Sequence, residues 1–295
     1  MTTSTSTLAP SGSTAGDWAL LILPGLIWGA SYLFIAQSLD AIGPNGITFV
    51  RTTVGFATLS LIPAARHALA RRDRWKGVLL GVIWMAFPLS MFPFAEQRVS
   101  SALTGMLNGA VPLFATAVAG ILARRFPARR VAVGLAVGFG GAILMGLPGL
   151  IAAHPDVTSQ STGVLLILAA LVSYGIAINL ARPLQQRNGA LPVVWTAQAV
   201  SVALTAPLGL PDVLRARWSP GPLAALLTLG AFGTGIAYVL SATAAGRLGA
   251  ARASTTSFLV PVVALTLGVV FRHEHVAPLS LIGAAVCLTG VWLIR

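Results

Sequence analysis

Five aromatic side chains with a polar tip stand well inside apolar stretches of this chain: Trp28, Tyr32, Trp84, Tyr174 and Tyr238. Trp28 and Tyr32 are four residues apart and share one helical face, and Tyr238 shares one with Thr234. Rings of this kind suit a cavity for an organic solute, apolar along its walls and wet at a few points, and they also suit packing between helices. Two prolines add a second kind of chemistry. Pro112 lies in "NGAVPLFATAVAGILARRF" (108–126) and Pro261 in "SFLVPVVALTLGVVFRHEH" (257–275), each four residues after a polar one, Asn108 and Ser257. A proline inside a helix gives no N–H to the carbonyl four residues before it, and it bends the chain. The carbonyls of Asn108 and Ser257 are therefore freed, and in an apolar setting they need protein or a water-filled cavity to satisfy them. Trp28, Tyr32, Trp84, Asn108, Tyr174, Tyr238 and Ser257 form the candidate substrate-binding set, with Pro112 and Pro261 as candidate kinks or hinges.

Arg51 stands inside an apolar stretch. An ionisable residue so placed is a candidate functional group, here for an anion or carboxylate. A long side chain near a span end also snorkels to the headgroups, with backbone carbonyls or Glu96 as its expected partners. The acids Asp17, Asp40, Asp73, Glu96, Asp156, Asp212 and Glu274 fall in the tail, in loops or at the ends of apolar stretches, as do all four histidines. An intramembrane enzyme, such as a lipid-modifying transferase or hydrolase, needs a nucleophile with its base, a carboxylate pair or a metal set inside the spans. None is visible. "HEH" (273–275) puts its histidines two positions apart, off a common helical face, and Cys287 is the single cysteine. No catalytic residue, metal or cofactor is expected.

The elements that must position these groups are membrane spans. Hydrophobic residues make up 56% of the chain and charged ones 9%, with a mean hydropathy of +0.85; soluble domains carry about 25% charged residues. The net charge of +12 does not signal nucleic acid, because the arginines stand in short loops between apolar runs, where they report topology. Runs near the ~20 residues that a bilayer core requires fall at 18–38, 46–69, 75–95, 101–122, 130–147, 162–181, 191–209, 221–244, 250–271 and 277–294. With the N-terminus inside, fourteen Lys and Arg face the cytoplasm, Arg124, Arg125, Arg252 and Arg295 among them, against Arg98, Arg215, Arg217 and Arg272 outside. Both termini are therefore expected in the cytoplasm. Trp18, Trp75, Trp218 and Trp292 at span ends, and Trp195 near one, fit an interfacial belt. GxxxG spacings at Gly25–Gly29, Gly77–Gly81, Gly105–Gly109 and Gly134–Gly138 are expected to let helices approach closely within the first half.

The chain repeats itself. Arg98 and Arg247, Pro112 and Pro261, Gly134 and Gly283, and Gly141 and Gly290 are all 149 residues apart, and so are Gly81 and Gly230. Nearer the start, Trp28 faces Tyr174 after a small shift. Five spans per half, an odd number, turn the second half upside down. Such inverted repeats mark secondary transporters, whose sites lie near the bilayer midplane between the repeats.

"LIWGASYLF" in the first span, "GITFVRTTVGFATL" opening the second and "NGAVPLFATAVAGILARR" in the fourth together resemble the drug/metabolite transporter superfamily. Within it the likeness is to the EamA-type exporters, which carry two copies of one domain, and extends to bacterial aromatic amino-acid exporters. The resemblance implies an all-α membrane protein of ten transmembrane helices in two inverted five-helix repeats. A disordered cytoplasmic tail (1–17) precedes the first repeat (18–147), and an external linker (148–161) joins it to the second (162–295). It also implies a bacterial inner-membrane exporter of small neutral or zwitterionic metabolites, amino acids above all, working by alternating access. Its partners are a small-molecule substrate and membrane lipid, without nucleic acid, and a monomer suffices. The superfamily's short multidrug members hold cations and protons at a glutamate in the first helix, and "LILPGLIWGASYLFIA" has none. Cationic drugs thus lack a counter-charge, and facilitated diffusion is the simplest mechanism. A nucleotide-sugar or phosphate-ester carrier is the alternative within transport, though it needs more buried cations than Arg51.

Overall fold

The computed structural model describes residues 15–124, 126–151, 157–248, 253 and 256–294. Residues 1–14 of the expected tail, 152–156 of the expected linker (with His154 and Asp156), and Arg125, Arg252 and Arg295 of the basic set lie outside the described residues. The described residues form ten helical segments and no strand. They are α1 (Ala15–Leu39), α2 (Pro44–Ser60), α3 (Arg71–Glu96), α4 (Ser101–Ala123), α5 (Arg129–Ile151), α6 (Val157–Asn188), α7 (Ala190–Arg215), α8 (Pro220–Leu248), α9 (Thr256–Arg272) and α10 (Pro278–Leu293). By length and composition seven of them suffice to cross a membrane, while α9 and α10 are shorter apolar helices and α2 has 17 residues.

Local sequence explains where these segments depart from expectation. The span expected at 46–69 stops at Ser60, because Pro63 has no N–H for the carbonyl of Leu59, and the chain turns through a short 3-10 stretch, Pro63–Arg66. The helices α5 and α6 reach into the expected linker from both sides. The two prolines behave differently. In α4 the helix ends at Asn108 and restarts at Val111, after a turn at Gly109 and Ala110. In α9 the helix runs on through Pro261 without interruption. The residues before each proline account for the contrast: Gly109 tolerates a turn, whereas Phe258 and Leu259 stand at the matching places of α9.

The halves are related by a pseudo-twofold axis, visible as contacts that recur with their partners exchanged. A Cβ on Gly81 of α3 would stand 2.5 Å from Val200 Cβ and 3.0 Å from Ala197 O of α7. One on Gly230 of α8 would stand 2.6 Å from Val54 Cβ and 3.1 Å from Arg51 O of α2. Likewise Gly134 would meet Gly290 O at 3.0 Å, and Gly283 would meet Gly141 O at 2.8 Å, where α5 crosses α10. The contact of Gly29 in α1 with Val263 in α9 returns as Gly175 in α6 against Phe114 in α4.

These contacts extend the reading of the glycine pairs beyond the first half. Gly25 and Gly29 face Leu259 and Val263, Gly77 and Gly81 face Thr196 and Val200, Gly105 and Gly109 face Ala264 and Pro261, and Gly134 faces Gly290. Small residues therefore bring α1, α3, α4 and α5 of the first half chiefly against the second half, while Gly138 of α5 meets Leu113 of α4, and Gly105 of α4 meets Tyr32 of α1, within the first half as expected. Two core clusters result. One gathers Tyr32, Met106, Ile167 and Val260, with Trp28 and Tyr174 against it; the other gathers Leu59, Met85, Leu184 and Val194, with Trp84 and Tyr238 against it. The polar-tipped rings lie along the seam between them. Trp195 belongs to the second cluster rather than to a belt: it lies against Phe56 and donates through Nε1 to Ser60 Oγ at 2.8 Å.

Candidate functional site

A cavity of about 330 Å³ lies in that seam, within the usual size range of ligand pockets. Helix α1 brings Trp28, Ser31 and Tyr32 to it, α2 Arg51, α3 Trp84 and Phe92, α4 Asn108, α6 Tyr174, α8 Tyr238 and α9 Ser257. All seven candidate binding residues thus border one space, and Arg51 joins them. Pro112 and Pro261 do not line it; Pro261 instead fills the notch left by Gly109, where a Cβ would stand 2.4 Å from its Cγ.

The rings form two rows. Tyr238 stands edge-on between Trp28 and Trp84, with centroids 5.6 and 5.7 Å away. Phe92 lies between Tyr32, edge-on at 5.7 Å, and Tyr174, stacked at 6.1 Å. Edge-to-face pairs fix ring orientation beyond simple burial, so the walls are preformed. Phe92 escaped the sequence reading because nothing about a single phenylalanine in "FPLSMFPFAE" (87–96) separates wall from core.

A second feature also escaped it. Gly81–Ala86 of α3 and Leu229–Ile236 of α8 are wound as π-helix, at matching places in the two repeats. Such turns displace backbone bonds and recur at functional sites. Here side chains from the opposite half catch the displaced carbonyls: Trp28 Nε1 donates to Gly233 O at 3.0 Å, and Ser173 Oγ to Ile83 O at 2.6 Å. The glycine pair Gly81 and Gly230 was the only hint in the sequence.

Arg51 is 4% exposed and does not snorkel. Its Nε donates to Thr234 Oγ1 at 3.2 Å, not to Glu96 or to a carbonyl. Thr234, in the π-wound stretch, is itself buried, and its carbonyl accepts from Gln198 Nε2. Tyr32, Tyr174 and Tyr238 line the same cavity as Arg51. Glu96 ends α3, as its position in the sequence suggests, but both carboxyl oxygens are shielded from solvent and meet no donor among the described residues. It borders a second cavity of about 350 Å³, together with Arg98, Ser100, Gln160 and His275.

Other acids join the halves at the two ends of the bundle. At one end Asp17 pairs with Arg247 at 2.9 Å, and Asp73 pairs with Arg187 at 2.8 Å and accepts from Asn188. At the other, Asp40 pairs with Arg272, Asp212 accepts from Gly46 N, and Glu274 accepts from Ser101 N, Ser101 Oγ and Ala102 N at the start of α4. Glu274 of "HEH" is thus a helix cap reaching across the seam, and no cluster of metal-ligating residues occurs among the described residues.

Known proteins are similar to this chain over most of its length. The model of the EamA-like transporter family matches residues 17–147 and again 161–295. A probable terminal-alkyne amino-acid exporter of Streptantibioticus cattleyicolor is 29% identical over 94% of this chain and 92% of its own. An uncharacterized inner membrane transporter of Escherichia coli strain K12, YedA, is 26% identical over 91% of this chain and 87% of its own. A crystal structure of a protein 18% identical in sequence superposes with a TM-score of 0.64, covering 97% of this chain and 96% of that one, a likeness of fold.

Proposed function

The chain belongs to the EamA-like transporter family, and on that premise we propose that it exports small neutral or zwitterionic metabolites, amino acids in particular, by alternating access between its two repeats. One observation carries the reading. A single cavity on the pseudo-twofold seam gathers polar-tipped rings, Asn108, Ser257 and Arg51 from both halves, the place where inverted-repeat carriers hold their solutes. The relative named as a probable amino-acid exporter supports the solute class. Among the described residues no acid lines this cavity, which supports facilitated diffusion down the solute's own gradient over proton-driven transport. The family and the names of its relatives indicate a transporter rather than an enzyme.

We further propose a bacterial inner-membrane location with both termini cytoplasmic. The lining reaches Gln185 and Ala245, near Arg187 and Arg247 at the ends of α6 and α8. In that orientation the cavity is approached from the cytoplasm, the side from which an exporter loads.

The test is counterflow. Full-length protein in liposomes preloaded with unlabelled amino acids should take up labelled amino acid and leave it chemically unchanged. Trp84→Ala, which strips one end from the Trp28–Tyr238–Trp84 row, should slow exchange about tenfold while the protein still inserts. Exchange at the rate of empty liposomes, or a chemically altered solute, would refute the reading.

A further inference from the structure

We infer that the cavity selects solutes through a single carboxylate bound at Arg51, and that an amine lacking this carboxylate is rejected. The inference rests on the transport reading and deepens it. A guanidinium stays charged at any physiological pH, and a buried charge needs a partner. The ion pairs among the described residues are Arg187–Asp73, Arg247–Asp17 and Arg272–Asp40, and none of these involves Arg51. Its hydrogen bond to Thr234 uses Nε. Thr234 is in turn held through its hydroxyl to Leu229 O at 3.4 Å and through its carbonyl by Gln198. That bond anchors the guanidinium at Nε, and a guanidinium carries the fork of N–H groups that matches a carboxylate in two parallel hydrogen bonds.

The lining supplies the selectivity. Among the described residues it contains no Asp, Glu, Lys or His, and Arg51 is its one charged side chain. One carboxylate neutralises that charge. A phosphate monoester brings more negative charge than one guanidinium balances, and a cation adds to the excess. An ammonium group on the same solute is tolerated, because the other described lining residues are aromatic, amide, hydroxyl or aliphatic and none of them is a cation. The faces of Trp28, Trp84 and Tyr238 accept a cation as well. The carboxylate is the required handle and the ammonium an accessory one.

Four probes of one shape separate these roles: L-phenylalanine, 3-phenylpropionate, phenethylamine and phenyl phosphate. With full-length protein in liposomes preloaded with L-phenylalanine, the first two should enter by counterflow, and the last two at least about tenfold more slowly. Arg51→Gln should erase the preference for 3-phenylpropionate over phenethylamine, and Arg51→Lys, a point charge without the fork, should restore part of it. Quenching of tryptophan fluorescence, with Trp28 and Trp84 on the wall, reads binding without transport. 3-Phenylpropionate should quench and phenethylamine should not, and Arg51→Gln should abolish the difference. Phenethylamine moving or quenching as well as L-phenylalanine, or an unchanged preference in Arg51→Gln, overturns the inference. Selective quenching without any counterflow would keep it and remove the transport reading instead.

Discussion

At the scale of single residues, the chemistry is set by which polar atoms find partners inside the protein. Arg51 is oriented through Thr234 and Gln198, and the three tyrosines that line the cavity with it belong to α1, α6 and α8. Glu96 contrasts with it, a carboxyl shielded from solvent with no donor for either oxygen, a costly arrangement for a charge. It faces the second cavity, with Arg98 and His275, and not the main one. Facilitated diffusion therefore predicts that a pH difference across a liposome, with equal solute on both sides, produces no solute accumulation. Accumulation that collapses with a protonophore and disappears in Glu96→Gln would replace that mechanism by proton coupling at this carboxyl. The aromatic and amide lining was legible in the sequence because a polar-tipped ring deep in an apolar run has few roles. Phe92 and the partner of Arg51 were not: a lone phenylalanine carries no signal, and Thr234 meets Arg51 only once a π-wound turn of α8 packs on α2.

At the scale of elements, glycine faces decide which helices touch. The spacings were readable, but their partners were not, because the same four-residue interval serves a neighbour in either half. At the crossing of α5 and α10 backbone meets backbone. A Cβ on Gly141 would stand 2.3 Å from Cys287 N and 2.7 Å from Gly283 O, backbone atoms that have nowhere to go. One on the adjacent Gly140 meets nothing within 4 Å. Gly141→Val should thus destabilise the folded protein by about 1–3 kcal/mol, as overpacking does, and lower its midpoint of thermal unfolding in detergent. Gly140→Val adds the same side chain to the same helix and should leave the midpoint within experimental error. Equal effects from both would show that helix propensity, not the crossing, sets the response. The break in α4 follows the same logic: Pro112 demands a bend, and Gly109, closed over by Pro261, allows it to become a turn.

At the scale of the whole molecule, the repeat was legible because proline, glycine and arginine recur at a constant offset, whereas the contacts that close its ends were not. Isolated acids in loops look like solvated charges in a sequence. In the structure Asp17, Asp40, Asp73, Asp212 and Glu274 each reach from one half to the other. Alternating access requires the two ends to part in turn. The cavity lining extends toward the end held by the Asp17 and Asp73 pairs, and none of it comes from the turns at 40–43, 97–100 or 273–277. Solute leaving past those turns must therefore separate Asp40 from Arg272, Asp212 from Gly46 and Glu274 from the start of α4. Glu274 holds the most bonds of the three, accepting from two backbone N–H groups and one hydroxyl at 2.8–2.9 Å. Hydrogen bonds to a charged group are worth about 1.5–3 kcal/mol each, and 1.4 kcal/mol already shifts an equilibrium about tenfold. Glu274→Ala should accordingly populate the conformation open at that end. Its readout is Ile35→Cys, a lining position on α1, in a Cys287→Ser background. With both termini cytoplasmic this end faces outward, and an impermeant thiol reagent added to intact cells should label the cysteine about tenfold faster when Glu274 is alanine. Unchanged or slower labelling, in a protein that unfolds at the parent's temperature, would mean that this cap stabilises α4 alone and does not hold the outer end shut.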